Sequence, residues 1–303
     1  MNSTPSSIDP ASTRYRVNGV HNASNLLEWI NNLPTLSPVL QRINAIISNP
    51  SSSADDVESA LKLDPAIAGK VLRLANSAYV GIPRTVSSLK NAIVLLGFKR
   101  IQSLALASTI LSACSRRAVK GVLDMYSYWR HSIMVALVAE SIARHLNRYQ
   151  AMDADDLFTA GILHDVGKLI LGGFDPDRLE SAARKGREQK LPLYAVEEPD
   201  WSHMRTGELL AYHWNFPRDL TAAIRMHHSP QASEEFVLMV SVVHLSDVMV
   251  HIMGVQTIAD EQAPALSDHA IAQVRLLPER LRVISQDAAA NEKRIESLLS
   301  FMS

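Results

Sequence analysis

The chain has 303 residues, is 47% hydrophobic and 20% charged, and its 30 Lys+Arg against 31 Asp+Glu leave a formal net charge of −1. That length suits two domains, or one large domain with an accessory lobe, and it buries enough surface to need no covalent staple. The balanced charge gives no basic footprint for a dedicated nucleic-acid binder, and the single cysteine, Cys114, excludes an intramolecular disulfide or a thiolate cluster and fits a reducing cytosolic compartment.

Residues 1–24 are rich in Ser, Thr, Asn and Pro and read as a disordered tail; lacking a basic start and an apolar core, they are not expected to be a secretory signal. Helical periodicity begins at 25–31, with apolar residues at 26, 27 and 30, and continues at 38–47, with apolar residues at 39, 40, 43, 46 and 47. Ser53 precedes Asp55 and Asp56 and an apolar series at 57, 60 and 61, as a helix start prefers. Asp64-Pro65 reads as an N-cap followed by proline at the first helical position, opening a helix to about residue 76. Ser87-Ser88 caps a helix over 89–96 that Gly97 ends, and a further helix covers 101–113. Cys114 closes an apolar stretch and is expected to be an inert buried thiol. Strict alternation is nearly absent, so the expected fold is all-α, as two packed helical lobes. The first spans 25–115. Arg116, Arg117 and Lys120 break the apolar series, placing the boundary at 115–120 and the second lobe at 120–254.

Only His21 among the eleven histidines precedes that boundary. In the helix expected over 128–146, His131 lies at the edge of a face made by 134, 135, 138 and 142. The helix expected over 156–171 carries His164, Asp165 and Lys168 between Gly161 and Gly167. Adjacent helical residues point about 100° apart, so His164 and Asp165 share an ion only if it lies between them. Two glycines inside a helix, each costing about 1 kcal/mol, point to close packing or function. Lys168, one turn beyond His164, is placed to offer an ammonium to an anion. His203 and the pair His227-His228 follow. The helix expected over 236–253 is apolar on almost every side yet contains Asp247, which needs a cation there: protonated His244 or His251, or a metal. These polar residues also argue against a membrane span. A loop at 255–267 and helices at 268–276 and 278–302 form a C-terminal extension, 255–303. Imidazoles and carboxylates without thiolate suit Fe, Mn, Zn or Ni.

His131, His164-Asp165, Lys168, His203, His227-His228 and Asp247 follow the order of the HD superfamily of metal-dependent phosphohydrolases. The chain more specifically resembles the HDOD domain, an output domain of bacterial signalling proteins. Its landmarks are matched by Leu33-Pro34, Leu63-Asp64-Pro65, 72–77, 92–97 and Trp214-Asn215-Phe216-Pro217. The resemblance implies that His131, His164, Asp165 and Asp247 ligate one metal. It places His203, His227 and His228 around a second, as in the related HD-GYP phosphodiesterases, and makes Lys168 a phosphate contact. With Asp165 orienting a nucleophile or bridging ions, Asp165 and Lys168 become the catalytic candidates. Fe or Mn come first as the ion, Zn or Ni after them, one or two per chain. Ser229-Pro230-Gln231-Ala232-Ser233 stands where those phosphodiesterases carry Gly-Tyr-Pro, so cyclic di-GMP hydrolysis is not expected. Many HDOD members are regulatory. The expectation is therefore a bacterial cytoplasmic regulator that acts through signalling proteins, without membrane or nucleic acid. The alternative is a metal-dependent phosphohydrolase acting on a nucleotide or phosphoester. Residues 88–107 resemble a helix-turn-helix unit, but the would-be reading helix is apolar beyond Lys99 and Arg100, so core packing accounts for it better.

Overall fold

The structure, a computed structural model, describes residues 20–33, 38–47, 49, 51–82, 85–115, 122–146 and 152–302. Among the described residues, six helices build the first lobe: α1 (Val20–Asn31), α2 (Pro38–Ile47), α3 (Ala54–Leu61), α4 (Pro65–Ala75), α5 (Leu89–Leu96) and α6 (Phe98–Ser115). Local chemistry sets their ends. The Asp64 carboxylate accepts from the backbone N–H of Ala66 and Ile67 at 3.0 and 3.1 Å, satisfying donors that a helix start leaves free. Gly97 ends α5 at φ 81°, a conformation that favours glycine. Helix α1 starts at Val20, so 20–24, expected in the tail, are helical. Residues 1–19, Pro34, most of the 115–120 boundary and the side chain of Cys114 lie outside the described residues.

The second lobe is built from α7 (Met125–Leu146), α8 (Ala154–Leu163), α9 (Val166–Phe174), α10 (Pro176–Gln189), the single turn α11 (Leu193–Val196), α12 (His203–His213), α13 (Arg218–Met226) and α14 (Val237–Ile252). Helices α15 (Asp268–Val274), α16 (Pro278–Ala289) and α17 (Glu292–Met302) complete the chain. No strand occurs among the described residues; Leu123 and Ile258 form an isolated bridge. The fold is all-α, and one contiguous apolar core runs from Leu26 of α1 to Met302 of α17. The stretch expected as one helix over 278–302 is two, and α17 packs on α4, α6 and α7, touching both lobes.

The stretch expected as one helix over 156–171 is also two. Asp165, at φ −96° and ψ 12°, interrupts it, leaving His164 as the C-terminal cap of one helix and Asp165 as the N-terminal cap of the next. By length and hydropathy Ala154–Phe174 could cross a membrane, yet 83% of an apolar 18-residue window within it is buried inside the protein, as a core element would be. Both glycines mark close approaches. A Cβ on Gly161 would lie 2.5 Å from Ala136 Cα on α7, and one on Gly167 would lie 1.8 Å from the His203 carbonyl oxygen on α12. These contacts pull α7, α8, α9 and α12 together around the helix break.

Candidate metal centre

Each helix delivers its polar residue to one interior point. His131 comes from α7, His164 and Asp165 from the α8–α9 break, His203 from the first turn of α12, His227 and His228 from the end of α13, and Asp247 from the middle of α14. His131, His164, Asp165, His203, His227 and Asp247 all have side chains no more than 1% exposed, and that of His228 is 4% exposed. Sets of their donor atoms, such as Asp165 with His203, His227 and His228, lie within 4.8 Å of one another.

The imidazoles are held by their far nitrogens. His131 Nδ1 lies 2.8 Å from the Val255 carbonyl, His164 Nδ1 2.8 Å from that of Gly161, and His227 Nδ1 2.9 Å from that of Ile224. His203 Nδ1 lies 2.7 Å from Glu197 Oε2. Carbonyl and carboxylate oxygens only accept, so each Nδ1 carries the proton and each neutral ring turns a lone pair on Nε2 inward. Orientation of ligating histidines by such partners is the rule in metal sites. The inward nitrogens meet only acceptors. His203 Nε2 and His227 Nε2 are 3.4 Å apart, and both lie within 3.6 Å of Asp165 Oδ1. On the other side, His164 Nε2 is 3.5 Å and His131 Nε2 4.0 Å from Asp165 Oδ2, and His131 Nε2 is 3.2 Å from Asp247 Oδ1. His131 Nε2, His164 Nε2 and both oxygens of Asp247 make no hydrogen bond of ordinary geometry. Opposed lone pairs repel unless a cation stands between them, so the donor set fits a divalent ion, with Asp165 presenting one oxygen to each group of histidines.

Charge points the same way. Burial pushes the Asp165 and Asp247 carboxyls up, but Lys168 and His164 around the first, and His251, His131 and His164 around the second, hold both well below the usual range. Burial, followed by the neighbouring imidazoles, keeps His227 down at about 4 and lowers His228 and His131. His164 is drawn up by Asp165 and Asp247 against that burial.

Two features differ from expectation. Lys168 does not face an open anion site. Its ammonium is 1% exposed and lies 2.9 Å from Asp165 Oδ2, 2.8 Å from Thr257 Oγ1 and 2.9 Å from Glu261 Oε1. Asp247 also has a cation on its own helix: His251 Nδ1 is 2.8 Å from Oδ1, and burial notwithstanding, Asp247 and Glu261 raise His251 to about 10. His244, the other partner weighed, instead reaches the His227 carbonyl at 2.7 Å. Sequence reasoning passed over Glu197, Thr257 and Glu261. All three sit in irregular segments without periodicity, and Glu197 is one of an acidic group with Glu198 and Asp200 in which nothing singles it out.

Comparison with known proteins agrees with this architecture. The HDOD domain family model matches residues 33–230. An HDOD domain protein of unknown function from Geobacter sulfurreducens superposes with a TM-score of 0.74 at 23% identity, covering 91% of this chain and 96% of that one. A candidate phosphohydrolase from Shewanella amazonensis gives 0.69 at 22%, covering 93% and 99%. A candidate signal transduction protein from Marinobacter aquaeolei gives 0.77 at 20%, covering 92% of this chain and 65% of that one. An uncharacterized protein of Treponema pallidum is 25% identical over 239 residues; this chain spans less than half of that relative's length, 45%.

Proposed function

Since the chain belongs to the HDOD family, we propose that it is a bacterial cytoplasmic regulator, built around a divalent metal centre and acting through signalling proteins. The observation that carries this reading is closure. Every candidate ligand has a buried side chain, and Lys168 is engaged within the chain, donating to Thr257 and Glu261 and forming an ion pair with Asp165. A catalytic metal needs an open position for water or substrate, whereas a structural one is enclosed. The candidates for the first ion are His131, His164, Asp165 and Asp247; those for a second are His203, His227 and His228, again with Asp165. Borderline nitrogen and oxygen donors suit Fe or Mn first, then Zn or Ni.

The donor set favours a second reading, a metal-dependent phosphohydrolase; one similar Shewanella amazonensis structure is named a candidate phosphohydrolase and another a candidate metal-dependent phosphohydrolase. A divalent ion in the centre would supply a Lewis acid and lower the pKa of a water molecule. Asp165 would then orient the nucleophile and Lys168 would hold a phosphoryl oxygen, which requires Lys168 to be released from Glu261. Cyclic di-GMP is not the expected substrate. Ser229 to Phe236 is spent on a tight 3₁₀ turn with Pro230 buried, which leaves little chain to wall a dinucleotide pocket.

The test is metal analysis of chain purified without chelator, then turnover assays on phosphomonoesters, cyclic nucleotides and cyclic di-GMP beside Asp165→Ala. One or two ions per chain and no turnover sensitive to that variant is the expected result. Multiple turnovers abolished by Asp165→Ala would make the chain an enzyme, and protein without metal would remove the centre.

A further inference from the structure

Arg178, Ser181, Ala182 and Lys185 follow one another at i, i+3, i+4 and i+7, so they share one face of α10. They border a cavity of about 260 Å³, floored by Leu171 of α9, Leu179, Val196 and Trp201. No candidate metal ligand lines it. The Arg178 guanidinium is stacked on the Trp201 indole, its Cζ 4.2 Å from the ring centroid. Trp201 is backed by Phe174, with centroids 5.8 Å and planes 18° apart, and Phe174 meets Trp29 of α1 edge-on at 5.7 Å. Stacking uses the face of a guanidinium and leaves its N–H edge for acceptors in the plane. Those acceptors are missing. Nη1 is buried without a hydrogen bond. The two carboxylates in ion-pair range, Glu198 at 3.8 Å from Nη2 and Asp175 at 4.0 Å from Nε, are both beyond hydrogen-bond reach.

A guanidinium held in place with an open edge, beside an apolar floor, is how small-molecule sites are built: a few placed polar groups orient the ligand and apolar walls supply the contact area. We propose that this cavity binds a small apolar monocarboxylate, its carboxylate paired with Arg178 and Lys185 and its hydrocarbon part lying on Leu171, Leu179, Val196 and Trp201. A planar carboxylate matches the guanidinium edge with two parallel hydrogen bonds. Charge sets the valence. Glu198 on the same wall offsets part of the cationic field, so one negative charge is accommodated and the second charge of a phosphate dianion is repelled. Size sets the class. The cavity is below the roughly 300–1,000 Å³ of drug-sized pockets, so the hydrocarbon part is a single ring or a short alkyl chain. Stacking fixes the guanidinium beforehand, so little side-chain freedom is lost on pairing. One residue joins the cavity to the metal centre: Glu197, on its wall, accepts from the His203 backbone N–H at 3.2 Å and from Nδ1 at 2.7 Å. A bound acid thus sits against the segment that orients His203. The site itself requires no metal and is independent of the proposed function.

The experiment is titration calorimetry of the full chain with hexanoate and benzoate, as purified and again in excess chelator. Both acids should bind saturably, with Kd at or below about 1 mM, and equally in the two preparations. Butanoate should bind about tenfold more weakly than hexanoate, because two CH₂ groups are lost from the apolar floor. Benzamide, neutral but of the same shape as benzoate, and inorganic phosphate should not bind. Arg178→Met should weaken hexanoate about tenfold or more. Arg184→Met, at an exposed arginine of the same helix outside the cavity, should leave binding unchanged. Should Arg178→Met fail to fold, Arg178→Lys keeps the charge without the planar fork and must still weaken hexanoate. Absence of binding overturns the proposal, as does binding that the Arg178 variants leave intact or that ignores chain length. Binding lost in chelator places the acid on a metal ion, and phosphate bound in preference to hexanoate makes the cavity an oxyanion site; either result also overturns it.

Discussion

Gly167 and Gly173 stand six positions apart around α9 and have opposite surroundings, which makes them a controlled pair. A methyl on Gly167 would have to occupy the His203 carbonyl, 1.8 Å away, and backbone cannot rotate aside as a side chain can. Gly167→Ala should therefore cost about 3 kcal/mol or more, the upper range for overpacking, and displace His203 from the centre. Gly173→Ala would meet only the Trp29 ring at 3.5 Å, ordinary contact, and should be neutral or stabilising by up to about 1 kcal/mol through helix propensity. Urea unfolding of both variants checks this; equal costs would show that the α9–α12 approach is not as tight as described. His203 adds a second case. Its Nδ1 proton is held by Glu197 and nothing else, so Glu197→Ala should weaken metal affinity 10–100-fold, read by competition with a chromogenic chelator.

Between helices, the strongest polar junction is the one at Glu140 of α7, which is 2% exposed. Arg100 of α6 reaches it at 2.8 Å, Arg144 at 2.6 Å and Arg294 of α17 at 3.2 Å, while Arg100 also holds Asp155 at 2.6 Å and stacks 3.6 Å from the Phe158 ring centroid. Burial raises the Glu140 carboxyl, but Arg100 and Arg294 outweigh it and hold it below its ordinary 4.5. A carboxyl depressed in the folded state contributes stability above its unfolded pKa and loses it as pH falls through the folded value. Unfolding free energy should thus drop on acidification below about pH 4.5, and Glu140→Gln should remove that part of the drop. Glu140→Ala should cost about 3 kcal/mol at neutral pH, since it leaves buried Arg100 with Asp155, a partly exposed carboxylate, as its remaining counter-ion; a loss below about 1 kcal/mol would refute that account. This junction was not legible in the sequence, because nothing local marks Arg100 and Glu140, forty positions apart, as partners. Individual helices were legible wherever one face is polar, as at 38–47, and where caps stand in sequence, as at Asp64 and Ser88. The break at Asp165 was not, because 156–171 is apolar on both sides of it and periodicity survives a two-residue interruption. The metal-binding residues were visible as polar exceptions in apolar helices. Their carboxylate partners, Glu197 and Glu261, were not, since loops have no period against which an exception can register.

Across the whole molecule, an ion held by His131 of α7, His164 and Asp165 of the α8–α9 break and Asp247 of α14 would act as a cross-link among four helices. A ligand that binds only the folded chain raises its stability with concentration, so exhaustive chelation should lower the melting temperature by about 5 °C or more. Asp247→Ala should lose both the metal and that sensitivity. Identical melting with and without chelator, on protein shown to contain metal, would count against the centre as a stabilising element. The position of α17 has a consequence of another kind. Its Leu298, Phe301 and Met302 are part of the core, its Arg294 shares Glu140 with Arg100, and it lies against α4 and α6, elements begun roughly two hundred positions earlier. During synthesis, a nascent chain that has reached only α16 has every ligand of the centre but an uncovered first lobe and an incompletely neutralised Glu140. The order in which the ribosome delivers these helices therefore puts closure of the lobes last, leaving the nascent chain an interval in which its apolar α4–α6 face is open to chaperones.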